Sequence, residues 1–313
     1  MKMLKRTISL ILAFCMILSI QTLAFADEQE GEGDNVVITE ADKPYLALGA
    51  DLSTSQLNTV LDLMGISADN LNDYDVVYVT NQEEHTYLDE YIPSKQIGTH
   101  ALSSVVITKA ESGSGLKIST YNINYCTVGM YKNALTTAGI TDANIIVAGP
   151  TSLSGTCALV GILKAYQEMS GEDIDDEVID AAMDELVTTG EIEDALGDEV
   201  DSEIVEAIIA ELKQRIADGL LENEQQMRDA IAELCEEYGI VLDEDEIQLI
   251  IDLLSKLKGL NLDWDAIADQ AGYWAGKIQE LSKNVTKDDV NGFFDIVERL
   301  MEQLRNFFTG LFN

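Results

Sequence analysis

The sequence predicts an α/β fold: a mixed sheet with flanking helices and a β-hairpin, followed by a C-terminal helical bundle or arm. Three observations predict it. Up to about Leu196, short apolar runs alternate with stretches of helical period. Two strand-like segments, "ALSSVVITKA" and "LKISTYNINY", flank the turn sequence "ESGSG", a hairpin signal. Beyond Gly171 the strand-like runs stop and apolar residues recur at helical spacing. The expected organisation is a signal peptide (1–26), an acidic disordered leader (27–40), an α/β domain (41–196) and a C-terminal helical region (197–313).

The first 26 residues have the three parts of an export signal. Lys2, Lys5 and Arg6 form a basic start, Ile8 to Ile20 an apolar stretch, and Ala24-Phe25-Ala26 a small-x-small cleavage site. The apolar run is too short for a spanning helix. Cys15 follows bulky Phe14 inside that run, which disfavours lipidation. The leader "DEQEGEGDN" (Asp27 to Asn35) has no apolar residue and is expected to be disordered.

Within the α/β part, "YLALG" (Tyr45 to Gly49) reads as a strand. Leu57, Val60, Leu61 and Met64 then share one helical face that stops at Gly65. "DVVYVT" (Asp75 to Thr80) is a second strand, followed by a short helix "NQEEHTYLDEY". After the hairpin, "VGMYKNALTTAG" is a helix ending at Gly139 and "ANIIVAG" a strand. "DDEVIDAAMDELVTTG" is an acidic helix ending at Gly190. Further helices are expected over Asp198 to Gly219, Glu222 to Gly239, Asp243 to Leu257, Asp263 to Ser282 and Lys287 to Phe308. A weak internal echo links "MGISADN…DVVYVT" with "AGITDAN…IIVAG", and "GTHAL" with "GTCAL".

Composition excludes several functions. Cleavage at 26 leaves 287 residues with 16 basic and 57 acidic side chains, a net charge of −41. Nucleic acid and anionic membranes, which demand Lys/Arg patches, are therefore disfavoured partners. Three scattered cysteines (Cys126, Cys157 and Cys235) make no disulfide framework; buried free thiols are expected, with Cys126–Cys157 the one pairing considered. Two histidines and no Cys-x-x-Cys argue against zinc, and no cofactor motif is present.

The stretch "VAGPTSLSGTCALVGILKAY" (Val147 to Tyr166) resembles a phosphate or nucleophile loop but fails both patterns. From Gly149, the Walker glycine and lysine positions hold Ser154 and Gly155. With Ser154 as nucleophile, the elbow glycines are Ser152 and Thr156. What remains is a helix start that Ser152 or Ser154 could cap. Ala158, Gly161 and Ala165 add a small-residue stripe for close packing on a sheet.

Other strand ends carry polar residues where ligands of open α/β sheets bind. Thr80 and Glu83 form a capping box, and Asn81, Glu84 and His85 lie beside it. Asp51 or Ser53 caps the helix after the first strand. No catalytic residue is assigned. The candidate ligand-binding set is Asp51, Thr80, Asn81, Glu83, Glu84, Thr99, Ser154, Gly155 and Thr156. Its acids would suit a cation, a sugar or an amine-bearing peptide. An EF-hand over 261–272 fails, with Ala266 in place of glycine and Gly272 in place of glutamate. A serine–histidine triad would need His85 or His100, and nothing marks either. A two-carboxylate glycosidase stays open, since spacing along the chain does not give separation in space. In the last helix Phe294, Val297, Met301, Leu304 and Phe308 share an apolar face suited to core docking, self-association or a partner.

The segments "LGADLS", "IGTHALSSV", "YNINYCTVGMYKNALTTAGITDANIIVAGP" and "SGTCALVGILKAY" together resemble the YpuA-like family, domain of unknown function 1002. The resemblance is close over about Tyr45 to Leu196. It implies an exported protein of Gram-positive bacteria, in the cell envelope or the medium, with no established activity and no catalytic residues to carry over. Two functions are weighed: a non-catalytic extracellular or wall-associated binding protein, and a hydrolase of envelope glycan or peptide using strand-end carboxylates.

Overall fold

The computed structural model describes residues 31–39, 43–92, 94–197, 200–270, 273, 274 and 277. The export signal and the apolar face from Phe294 to Phe308 lie outside the described residues. Among the described residues, six strands form one mixed sheet: β1 (Glu32–Gly33), β2 (Tyr45–Gly49), β3 (Asp75–Val79), β4 (Ser104–Lys109), β5 (Leu116–Ile123) and β6 (Ala143–Leu153). Their order is β1-β5-β6-β4-β2-β3. The pairs β2–β3 and β5–β6 are parallel, and the other three are antiparallel.

This order corrects the hairpin. The strands either side of "ESGSG" are β4 and β5, but they do not pair with each other; β6 lies between them. The reason is burial. On β6, Ala143, Ile145 and Val147 enter one core layer while Ile146 and Ala148 enter the layer on the opposite face. A strand apolar on both faces belongs in the middle of a sheet. The connection over 110–115 straddles it, crossing two strand spacings of about 10 Å in all.

Among the described residues, five α-helices accompany the sheet: α1 (Thr54–Leu63), α2 (Asn81–Leu88), α3 (Ser94–Ile97), α4 (Val128–Thr137) and α5 (Thr156–Ser170). One face carries α1, whose Val60 and Leu61 pack with Leu46, Leu48, Val106 and Ile146. The acidic leader also contributes there. Its Glu32 and Gly33 pair with β5, Val36 N–H donates to Ser119 Oγ at 2.7 Å, and Val36 and Ile38 are buried. Glu32 to Asn35 therefore carry structure that their polar composition hides, anchored by the apolar pair that follows.

The opposite face packs against α4 and α5. The small-residue stripe does what its spacing suggests: a Cβ on Gly161 would stand 3.0 Å from Ala47 Cβ and 3.3 Å from Val105 Cγ1. Gly161→Val is expected to destabilise by about 1–3 kcal/mol through overpacking. A urea midpoint equal to the parent's would contradict this contact.

The helical part comprises α6 (Asp176–Leu196), α7 (Ser202–Ala217), α8 (Glu224–Tyr238) and α9 (Glu244–Lys258), with a further helix beginning at 264. Helix α6 does not stop at Gly190. That glycine is buried where a Cβ would stand 2.5 Å from the Tyr125 hydroxyl, so it permits close packing instead of ending the helix. Residues Ala182, Met183 and Leu186 of α6 belong to the core of the sheet layer. Ala181 and Ile192 join a second core with Ile208, Leu212, Ile231 and Leu254.

Helix α4 lies between sheet and helices, with nine of its ten residues buried. Its polar side chains are all answered. Lys132 Nζ is 2.8 Å from Asp34, and Asn133 Nδ2 donates to Glu206 O at 2.9 Å. Asn133 Oδ1 accepts from Trp274 Nε1 at 3.1 Å, and Thr137 donates to Glu185 Oε2 at 2.5 Å. Buried polar groups must be paired in this way to be tolerated.

Candidate functional site

Because β4 runs opposite to its neighbours, one sheet edge collects the carboxyl ends of β2, β3, β5 and β6 and the amino end of β4. Helices α1, α2, α4 and α5 start at the same edge, capped at Ser53, Thr80, Thr127 and Gly155. All nine candidate residues lie along it, distributed over three separate groupings and one exposed loop.

The first grouping is the capping box of α2. Thr80 N–H donates to Glu83 Oε2 at 2.8 Å, and Glu83 N–H to Thr80 Oγ1 at 3.2 Å. The other Glu83 oxygen is 2.5 Å from Lys164 Nζ, which also donates to Tyr78 O at 2.6 Å. Burial raises the Glu83 pKa, but the Lys164 and Thr80 bonds outweigh it and hold the group below its ordinary value. A cleft of about 230 Å³ lined by Glu83, Tyr87, Leu163 and Lys164 adjoins this pair.

The second grouping joins loops. Asp51 Oδ2 accepts from Ala101 N–H at 2.8 Å, and Asp51 N–H donates back to Ala101 O at 3.2 Å. Gly98 O faces both His85 Nε2, at 3.0 Å, and Asn81 Nδ2, at 3.5 Å. His85 Nδ1 sits 2.8 Å from Asp89 Oδ1, and that bond, with the one to Gly98, raises the imidazole pKa. Thr99 stands apart on the exposed loop, bonded to its neighbour His100 at 2.8 Å.

The third grouping is the loop that fails the phosphate and nucleophile patterns. Strand β6 continues to Leu153, and neither Ser152 nor Ser154 caps the helix: the cap is Gly155, at φ +92°. Ser103 Oγ, from the loop before β4, accepts the Ala158 N–H at 3.0 Å and supplies the missing side-chain cap from outside. Thr156 Oγ1 donates to Glu84 Oε1 at 2.6 Å. With that proton committed, Ser154 Oγ, 3.1 Å away, is the donor to Thr156. A directed chain Ser154→Thr156→Glu84 results. Glu84 Oε2 has no hydrogen-bond partner, and both Glu84 and Thr156 are 2% exposed. Burial raises the Glu84 pKa against the pull of Thr156 and Asn81.

Tyr131 and Ser103 have no local signal in the sequence, yet they fix this loop. Tyr131 O–H donates to Gly155 O at 2.7 Å, and a Cβ on Gly155 would stand 2.5 Å from that hydroxyl. Cys126 and Cys157 are buried free thiols beside it, and burial pushes both far above the thiol range. A thiolate nucleophile is thereby disfavoured.

Chemically, the edge offers buried carboxyls with a raised pKa, Glu84 beside the Thr156 loop and Glu206 at the start of α4, the property expected of a general acid. Glu84 is 2% exposed, without the open approach that glycoside hydrolysis uses. Among the described residues no group of three or more His, Cys, Asp or Glu could hold a metal ion, and no helix is long and apolar enough to cross a membrane.

The family described as "Protein of unknown function (DUF1002)" matches residues 48–273. A protein of Bacillus subtilis (strain 168), described as "Uncharacterized protein YpuA", is 35% identical over 307 residues, covering 98% of this chain and 96% of its own. No solved structure matches. The chain belongs to the YpuA-like DUF1002 family, a family of unknown function.

Proposed function

We propose that the protein is exported and acts as a non-catalytic binding protein of the cell envelope or the surrounding medium. One observation carries this reading: most of the strand-end polar groups are bonded within the fold. Asp51 ties two loops, Glu83 closes a capping box and a lysine pair, and the Ser154–Thr156–Glu84 chain runs into the interior. The export-signal pattern and the charge of −41 after cleavage agree with it and with a partner that is neither nucleic acid nor an anionic membrane. The partner is envelope material or another protein, and the face from Phe294 to Phe308 is the candidate surface for self-association. The hydrolase alternative rests on Glu84, a buried carboxyl after β3 with a raised pKa.

Fractionation of cells making the full chain is expected to place it outside the cytoplasm, beginning at Asp27. The mature chain is expected to co-sediment saturably with purified wall material or to capture a defined extracellular partner. A chain ending before Lys287 tests self-association by light scattering. Cytoplasmic retention, or a folded protein that retains neither wall nor partner, would overturn the reading.

A further inference from the structure

A sizeable cleft lies away from the strand-end edge. It holds about 620 Å³ and opens between the turn Gly113–Gly115 and the helix that begins at 264. That volume suits a small organic ligand. Its functional lining is Asp34, Lys132, Asp142, Asp269, Gln270 and Tyr273.

The cleft is lined by three carboxylates, Asp34, Asp142 and Asp269, and two ammonium groups, Lys117 and Lys132, and three of these five charges are held in place. Lys132, 1% exposed, is 2.8 Å from Asp34 and stands 3.8 Å over the Tyr273 ring. Asp142 accepts from Gly115 N–H at 2.8 Å and is bonded by the backbone of Gly113 and Ser114 as well. Burial raises its pKa, but those turn amides prevail and keep it low. Asp269 and Lys117 also line the cleft. A phosphate or polyanion meets three carboxylates against two ammonium groups, in a chain that is strongly acidic overall. A cation finds Asp34 already paired with Lys132 and Asp142 already bonded by backbone N–H groups, which leaves it Asp269 alone. The lining remains rich in preorganised acceptors and donors, a combination that rewards a neutral ligand able to donate and accept at many points.

We infer that this cleft is a binding site for a neutral, polyhydroxylated sugar, with Asp269 and Gln270 as the ligand-contacting side chains and Lys132–Asp34 as the fixed floor. The inference deepens the binding-protein reading and rests on it. A free oligosaccharide and an insoluble wall glycan share this chemistry, so both are tested.

The test uses the full mature chain carrying Trp264→Phe. Trp274, whose ring centroid is 5.2 Å from that of Tyr273, then reports on the cleft by fluorescence. Chitotetraose and maltotetraose are titrated, and purified wall glycan is sedimented in parallel. At least one of the two tetrasaccharides is expected to bind more tightly than about 1 mM. Asp269→Asn with Gln270→Ala, both on a partly exposed helix face, should weaken that binding at least tenfold without moving the melting temperature. No response to either tetrasaccharide by a folded protein overturns the inference, as does undiminished binding by the double variant. Wall sedimentation that survives the double variant also overturns the cleft assignment while leaving envelope binding intact. Tetrasaccharide binding lost in the variant, without wall sedimentation, supports the cleft and assigns it to soluble sugars.

Discussion

Replacing Lys213 with methionine is expected to cost about 3–5 kcal/mol, the penalty for leaving a buried charge without its partner. Lys213 and Glu185 are 2% and 0% exposed, and their charged atoms are 2.7 Å apart. Lys213 also donates to Asn133 O at 3.0 Å, while Thr137 donates to the second Glu185 oxygen. The four residues come from α4, α6 and α7, so the pair sits where sheet layer and helical layer meet. Burial pulls Glu185 toward the neutral acid and Lys213 pulls it back. Without the ammonium the Thr137 bond alone opposes burial, and Glu185 must either ionise without a countercharge or take up a proton. Glu185→Met with Lys213→Met should recover much of the loss, because a buried ion pair replaced by apolar groups of similar volume is often near neutral. Urea unfolding of the two single variants and the double variant measures this. Single variants within 1 kcal/mol of the parent, well below the roughly 3 kcal/mol floor, would contradict the role assigned to the pair.

The second large effect is a fall in stability as pH rises. Glu206 on α7 reaches into the start of α4, where Thr127 Oγ1 donates to it and Met130 N–H donates at 3.2 Å. Burial comes first among the causes that push its pKa up to about 7, with Glu203 and Asp201 adding repulsion against the Thr127 bond. Glu193, with one buried oxygen unpartnered, is pushed up to about 9 by burial and then by Glu206. A folded-state pKa above the unfolded one means the folded chain keeps a proton that the unfolded chain releases. The stabilisation is complete below the ordinary carboxylate pKa and disappears as pH climbs through the folded value. For Glu206 the window runs from the ordinary 4.5 up to about 7, and the loss is roughly 3 kcal/mol at about 1.4 kcal/mol per pKa unit. Glu193 extends the decline toward pH 9. Glu206→Gln keeps an acceptor for Thr127 and Met130 and removes the titration. It should be more stable than the parent at pH 8 and close to it at pH 5. Parallel pH–stability curves for the two proteins would contradict the assignment.

Local chemistry made part of this fold legible. The capping box at Thr80–Glu83 marked one helix beginning, and of the two caps offered after β2, Asp51 and Ser53, Ser53 is the one used. Alternation of strands and helices placed the candidate residues at strand ends, which is where they lie. Pairing over long distances was not legible. Nothing near "ESGSG" reveals that β6 will insert between its flanking strands, because that outcome depends on β6 being apolar on both faces. Gly190 read as a stop because glycine commonly ends helices, whereas its role is set by Tyr125, 65 positions away in the sequence. Ser154 read as a cap because hydroxyls favour that position. Gly155 takes it instead, since the backbone there needs a positive φ and leaves no room for a side chain under Tyr131. Glu84 and Thr156 are 72 residues apart, so their bond had no sequence signature.

The account stands on the strand-end carboxylates being structural. The direct measurement is release of soluble glycan or peptide fragments from purified wall material, by the mature protein and by Glu83→Gln with Glu84→Gln, each checked for an unchanged fold. The predicted result is no release above background by either protein, with retention on the wall preserved in both. Release by the parent that disappears in a folded double variant would contradict the account and make Glu83 or Glu84 part of a catalytic site.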